Sequence, residues 1–230
     1  MITAIVPARG GSKRIKDKNI KLLSGRPLVF YTLDSLLNHK EVSRIIFTSD
    51  SDNYIDIVHK EYGSDVDIIK RPATHATDNT KIYDELLRLS ESGLINDSWF
   101  MLCLPTAPLR SHEVINKILK LWKQNKTPMF SACEYSFPVQ FAFDIDIEGL
   151  WKPCFKNSPM ITGQTRSQDI PKRYRPNGAI YIQKICNLKA KKTLYSDAKP
   201  FVMNQIDSID IDSQLDFDFA ELILNKSKNR

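Results

Sequence analysis

The sequence predicts an α/β protein built as a three-layer sandwich around a mainly parallel sheet. Three observations carry this. Short runs of β-branched and other apolar residues, stopped by Pro7, by Thr48-Ser49-Asp50 and by Pro105, read as buried strands. The segments between them place apolar residues at helical spacing. Strand and helix alternate through the first half, which implies right-handed crossovers with helices on both sheet faces.

Residues 2–6 form the first strand, and the loop 8–19 after it is strongly basic. A helix is predicted over 27–37 and a second buried strand over 44–47. Residues 52–62 form a helix capped by Ser51 or Asp52 and closed by Gly63. A third strand covers 66–69, a helix 79–89, and a strand 98–104. Ser111 caps a helix that runs to about residue 123. In the second half, 129–133 is a strand. Residues 134–176 carry aromatics and prolines without a good helix, so they read as an extended insertion or hairpin within one domain spanning 1–230. Residues 178–182 form a strand, 201–203 and 208–211 are strand-like, and 213–224 form a terminal helix. Ligands of such sheets bind at the carboxyl ends of strands, which selects the loops 8–19, 48–52, 71–79 and 105–110.

The 230 residues include 42% hydrophobic and 26% charged ones, ordinary globular usage that excludes a disordered, collagenous or coiled-coil chain. The net charge of +6 is mild and suits a small anionic substrate better than nucleic acid. The acidic stretch 207–212 also argues against a phosphate-backbone binder. No apolar run is long enough to span a membrane, and the first residues do not resemble a signal peptide, so a cytoplasmic protein is expected. Cys103, Cys133, Cys154 and Cys186 show no CxxC pairing, and three lie among apolar or strand-like residues, as reduced core cysteines do. His39, His59, His75 and His112 lack metal-ligand spacing.

The strongest chemical signal is the loop after the first strand. Arg9, Lys13, Arg14, Lys16 and Lys18 place five cations within ten residues, and Gly10-Gly11 lets backbone N–H groups approach a ligand. That composition suits a polyphosphate. Neither GxxxxGK[ST] nor GxGxxG is present. At the other end of the chain, Asp210 and Asp212 are two residues apart. On an extended backbone they face one side and offer a hard-oxygen site for Mg²⁺. The alternative is that Asp212 caps the helix beginning near Ser213.

The string Ile5-Val6-Pro7-Ala8-Arg9-Gly10-Gly11-Ser12-Lys13-Arg14-Ile15-Lys16-Asp17-Lys18-Asn19 resembles the N-terminal signature of the acylneuraminate cytidylyltransferases. These enzymes make CMP-activated nonulosonic acids such as CMP-N-acetylneuraminate. The resemblance continues through Ser49-Asp50, Arg71-Pro72-Ala73, the segment from Leu104 to Arg110, the segment from Arg175 to Tyr181 and the segment from Asp207 to Asp212.

It implies a Rossmann-like nucleotidyltransferase fold with an extended dimerisation arm at 134–176, and therefore a homodimer. It also implies transfer of CMP from CTP to the C2 hydroxyl of an acidic nine-carbon sugar, with release of pyrophosphate. Its partners would be CTP and that sugar, with no nucleic acid and no membrane. Arg9, Ser12 and Lys18, with Gly10 and Gly11, would hold the phosphates, Lys13 the outgoing pyrophosphate, and Asn19 the nucleotide sugar or base. Arg71 would lie near the cytosine ring, with backbone groups around 78–82 completing the reading of the base. Asp210 and Asp212 would bind Mg²⁺ (or Mn²⁺). Arg9 and Lys18 would be the catalytic cations; no base is evident from the resemblance, and the position of Asp212 makes it the candidate, acting through a metal-bound water. Arg166, Arg175, Gln140 and Leu104 would serve the acceptor, Arg166 by reaching the partner's site, and Asn177 and Tyr181 would line the sugar pocket or support its strand.

N-acylneuraminate is the first expectation for that acceptor. Two departures bear on it. Leu104 stands where sialic acid-activating members carry Gln, and Gln140 where several carry Lys. Residues 137–140 and 165–169 look more like pseudaminic acid-activating members, while 175–181 looks like those handling sialic or legionaminic acid.

Overall fold

β1, Ile2–Pro7, is buried along its whole length, because its small and β-branched side chains are covered on both faces. The computed structural model that places it describes residues 1–77, 80–95 and 97–228. Among these, the further strands are β2 (Leu22–Leu23), β3 (Arg26–Pro27), β4 (Val42–Ser49), β5 (Asp67–Lys70), β6 (Trp99–Cys103), β7 (Met129–Glu134), β8 (Phe143–Ile145), β9 (Trp151–Pro153), β10 (Tyr174–Lys184) and β11 (Lys199–Val202). The helices are α1 (Leu28–Leu36), α2 (Asp52–Tyr62), α3 (Ile82–Glu91), α4 (His112–Asn125), α5 (Pro159–Thr162), α6 (Ile185–Lys189) and α7 (Gln214–Lys228).

Seven strands form one sheet in the order β11-β7-β10-β6-β1-β4-β5. β1 runs parallel to β4 and β6, with Ile5 opposite Ile46 on one side and Leu102 on the other. β4–β5 and β7–β11 are parallel as well, and β10 alone runs antiparallel to both its neighbours. Alternation along β1 divides the core. Ala4 and Val6 face the layer that holds Leu33 of α1, Val58 of α2 and Ile118 of α4. Ile5 faces Leu86 and Leu89 of α3 and Leu188 of α6. This is the three-layer sandwich that the alternation of strands and helices predicts.

Ser51 caps α2 by accepting from the Tyr54 N–H at 3.4 Å, and Ser111 caps α4 by accepting from Val114 at 3.3 Å. The helix predicted over 79–89 is described from Ile82 onward, and its first expected residue lies outside the described ones. Two expectations need correction. Residues 208–211 form no strand. Asn204 bonds the Asp207 N–H and the Ser208 hydroxyl bonds the Asn204 carbonyl, so local side-chain bonds replace the ladder. Of the four cysteines, Cys103 and Cys133 are buried while Cys154 and Cys186 are exposed, and all four are free thiols.

The insertion 134–176 contains the β8–β9 hairpin and the one-turn α5, which Ser158 caps. Ile145, Ile147, Leu150 and Trp151 stand exposed on or beside that hairpin. The last residues of the segment enter β10, where Tyr174 pairs with Glu134. Asn177-Gly178 sits in a bulge of β10, not a plain turn, since the four residues 177–180 lie opposite only Ser131 on β7.

Candidate active site

Two segments far apart in sequence meet beyond the carboxyl end of β1. Ile15 of the basic loop and Ile211 of the acidic segment are buried in one apolar cluster with Leu28, Leu109 and Phe217. Ile211 lies between Asp210 and Asp212, so alternation turns it into the cluster and leaves both carboxylates lining a cleft. The Ile211 N–H donates to the Thr106 carbonyl at 2.7 Å, which fixes the acidic segment to the loop after β6.

Lys18 closes the junction. Its Nζ donates to the Ile211 carbonyl at 2.6 Å and lies 3.7 Å from Asp212 Oδ1. Arg14 Nη1 lies 3.3 Å from Asp212 Oδ2. Burial lowers the Lys18 pKa from its ordinary value, and the charges of Asp212 and Asp210 oppose that shift. The carboxyl of Asp210 is pushed up, first by desolvation and further by the charge of Asp212, against a hydrogen bond with Thr106. Asp210 still reaches solvent, so it is a crowded carboxylate at a cleft mouth and not a core residue.

The basic loop is held from behind. The Gly10 N–H donates to Asp50 Oδ1 at 2.8 Å, and the Tyr54 hydroxyl donates to Asp17 Oδ1 at 3.1 Å. A side chain on Gly10 would start 3.4 Å from Ser51 Cβ, and Gly11 takes φ +69°, so both glycines answer to the path of the loop. Asn19 is buried and donates to the Arg9 carbonyl at 3.1 Å, while Arg9 Nη1 reaches the Thr77 carbonyl at 3.1 Å.

Between the two segments lies a cavity of about 260 Å³, lined by Arg9, Ser12, Lys13, Lys18, Asn19, Leu104 and Asp212 among others. A second cleft of about 520 Å³ is lined by Arg175, Asp210, Asp212, Ile206 and Phe219, among others. Asp212 borders both. Asp212 does not cap α7: Ser213 and Asp216 do, with Asp216 Oδ2 accepting from the Ser213 N–H at 2.7 Å and Ser213 Oγ accepting from the Asp216 N–H at 3.3 Å. Asp212 is thereby left to the clefts.

Other expected site residues lie elsewhere. Arg71 is buried beside Glu85 and does not line either cavity. The base-reading segment 78–82 falls partly outside the described residues. Asn177 is buried and donates to Ser208 Oγ at 2.9 Å, so it braces the acidic segment from within. The Tyr181 hydroxyl meets that of Tyr195 at 3.2 Å, in the core on the α3 side. Gln140 donates to the Pro171 carbonyl at 3.0 Å within the insertion, and Arg166 is exposed there, 3.7 Å from Asp169. Leu104 does line the first cavity, with its Cδ1 3.7 Å from where a Gly178 side chain would begin.

Three further residues contribute: Thr106 and Arg14 through the contacts given above, and Arg110. Arg110 is 1% exposed and binds the Ala179 carbonyl at 2.6 Å and Thr32 Oγ1 at 2.8 Å, tying the loop after β6 to β10 and α1. Its place in the Pro105–Arg110 motif was the available signal.

The donor set suits Mg²⁺. Two carboxylates line one cleft, and desolvation first, then the charge of Asp212, raises the pKa of Asp210. Among the described residues no group of three or more His, Cys, Asp and Glu side chains gathers at ligand distance, so phosphate oxygens and water would complete the shell. No helix among the described residues is long and apolar enough to cross a membrane.

Residues 3–147 match the model of the family described as cytidylyltransferase. The chain is 30% identical to the CMP-N,N'-diacetyllegionaminic acid synthase of Legionella pneumophila, over 97% of this chain and 96% of that one. It is 30% identical to a pseudaminic acid cytidylyltransferase of Campylobacter jejuni, over 95% and 94%. The N-acylneuraminate cytidylyltransferase of Escherichia coli is 28% identical over all of this chain, which spans 53% of that protein. Among solved structures, a CMP:2-keto-3-deoxy-manno-octonic acid synthetase complexed with CTP superposes with a TM-score of 0.72 at 12% identity, covering 99% of this chain and 100% of that one. The 4-diphosphocytidyl-2C-methyl-D-erythritol synthase of Anaerococcus prevotii gives 0.65 at 17%, covering 97% and 96%. The last two show the shared fold. The family model and the full-length relatives establish that the chain belongs to the acylneuraminate cytidylyltransferase family and is a cytidylyltransferase.

Proposed function

We propose that the protein transfers CMP from CTP to the C2 hydroxyl of a nonulosonic acid, with N-acylneuraminate as the first acceptor to test. One observation carries this reading: Lys18 bonds the Ile211 carbonyl at 2.6 Å, so the cationic loop and Asp212 border a common cavity, with Asp210 beside it in the adjoining cleft. The acceptor oxygen bonds the α-phosphorus, the bond from that phosphorus to the oxygen bridging to the β-phosphate breaks, and pyrophosphate leaves. Arg9 and Lys18 offset the negative charge that builds on the α-phosphate, and Lys13 neutralises the departing pyrophosphate. Asp212 borders both clefts and takes the hydroxyl proton. Asp210 and Asp212 would hold Mg²⁺, which when bound neutralises phosphate charge and aligns the leaving group. Arg175, in the second cleft, offers a fork for the sugar carboxylate. The reaction belongs where CTP is made, in the cytoplasm.

A second reading, a more deoxygenated and N-acylated acid of the legionaminic or pseudaminic type, is favoured by Leu104. Its apolar side chain on the cavity wall has no amide to bond a sugar hydroxyl. Pyrophosphate release should be measured with CTP and N-acetylneuraminic, legionaminic and pseudaminic acids. Turnover with at least one acid is expected, and the ratio of kcat/KM values ranks the acceptors. No turnover with any of them contradicts the proposed reaction.

A further inference from the structure

Glu85 on α3 is fully buried, and its carboxylate is already occupied. Oε1 accepts from Thr48 Oγ1 at 2.7 Å and from Arg88 Nη2 at 2.7 Å, and Oε2 accepts from Arg88 Nε at 2.8 Å. Arg71, at the end of β5, approaches the same carboxylate but stops at 3.7 Å, too far for a hydrogen bond. Its backbone is pinned by an N–H bond to the Ser49 carbonyl at 2.8 Å. Its side chain is only 4% exposed, yet Nε has no hydrogen-bond partner among the described residues. Buried donors are normally paired, so an unpaired one just past the carboxyl end of β5, the end of the strands at which ligands of such sheets bind, points to a missing acceptor. Two guanidiniums on one carboxylate leave a net positive charge there, with Arg9 and Asp50 close enough to act on it.

We propose that Arg88 and Glu85 are positioning residues for nucleotide recognition. Arg88 occupies the lone pairs of Glu85, so Glu85 holds Arg71 by charge alone and leaves its guanidinium able to turn toward an acceptor atom of the pyrimidine ring. Loss of Arg88 frees Oε2, which then captures Arg71 and withdraws it from the base. This rests on the reading of Arg71 as the base-side arginine, and the experiment separates the two.

CTP binding is measured by calorimetry without acceptor for the wild type, Arg71→Met, Arg88→Met and the double variant, with thermal melts to confirm folding. Arg71→Met should weaken CTP binding about tenfold. Arg88→Met should weaken it about fivefold in the wild-type background and less than about twofold in Arg71→Met. In turnover, Arg88→Met should raise the KM for CTP while leaving kcat and the acceptor KM within about twofold. Should Arg88→Met not fold, Arg88→Lys keeps the charge but cannot chelate both oxygens, and a weakening of about threefold is expected. If Arg71→Met weakens CTP binding and neither Arg88 variant does, the positioning role is overturned and the reading of Arg71 stands. If Arg71→Met binds CTP like the wild type, that reading falls and the positioning role falls with it.

Discussion

Lys18 joins two jobs in one side chain. Its ammonium fastens the Ile211 carbonyl, and its charge faces the place where phosphate would lie. Methionine there keeps the apolar stem but loses the tie and the cation. Lys18→Met should therefore lower kcat by about 10²–10³-fold, in the range seen when one group stabilising developing charge is removed. It should cost only about 1 kcal/mol in a urea melt, since one hydrogen bond is lost. A kcat within threefold of wild type would contradict the assigned role. At this scale the sequence was legible where residue type and density coincide, as in the five cations of the basic loop and the Asp210/Asp212 spacing. It left Asn177 and Tyr181 open between lining a pocket and supporting its strand, because a polar or aromatic residue in a motif serves equally to brace a core. Asn177 binds Ser208 and Tyr181 meets Tyr195, each inside the protein.

Among the elements, α4 begins with a titratable contact. His112, its first residue, stacks on His39 with ring centroids 3.9 Å apart, and His39 bonds Asn116 Oδ1 at 3.1 Å. Desolvation and then the neighbouring His39 lower the pKa of His112 below its ordinary value of 6.5. A depressed value in the folded state means the unfolded chain takes up the proton first as pH falls. The contact thus contributes its full stability above about pH 6.5, and that contribution is lost between there and the lower folded value. The urea midpoint should fall less from pH 7.5 to 5.5 in His112→Gln than in the wild type. An equal or steeper fall contradicts this. Most element positions follow from periodicity and caps, as the Ser51 and Ser111 bonds show. The segment 208–211 escaped because its apolar alternation is that of a strand. Its ladder is absent since Asn204 and Ser208 bond the local backbone instead.

The whole molecule depends on how tail and front are joined. α7 packs against the β2–β3 hairpin, where the Ser24 N–H donates to Glu221 Oε1 and Lys21 Nζ to Gln214 Oε1, both at 2.7 Å. Their sequence separation is why no local pattern revealed that contact, and why the antiparallel course of β10 was also illegible. The exposed apolar side chains of the β8–β9 hairpin suit the core of an interface between two copies. Light scattering at micromolar concentration is expected to give twice the chain mass of 26.4 kDa, and a fully active monomer would contradict the proposed homodimer. The central claim is that the basic loop and the aspartate pair close on one metal-loaded CTP. A crystal structure with CTP and Mn²⁺ tests it most directly. An anomalous peak at Asp210 and Asp212, with the triphosphate on Arg9, Ser12 and Lys18, is the result expected. A nucleotide bound away from the aspartates, or a metal on other side chains, would contradict it.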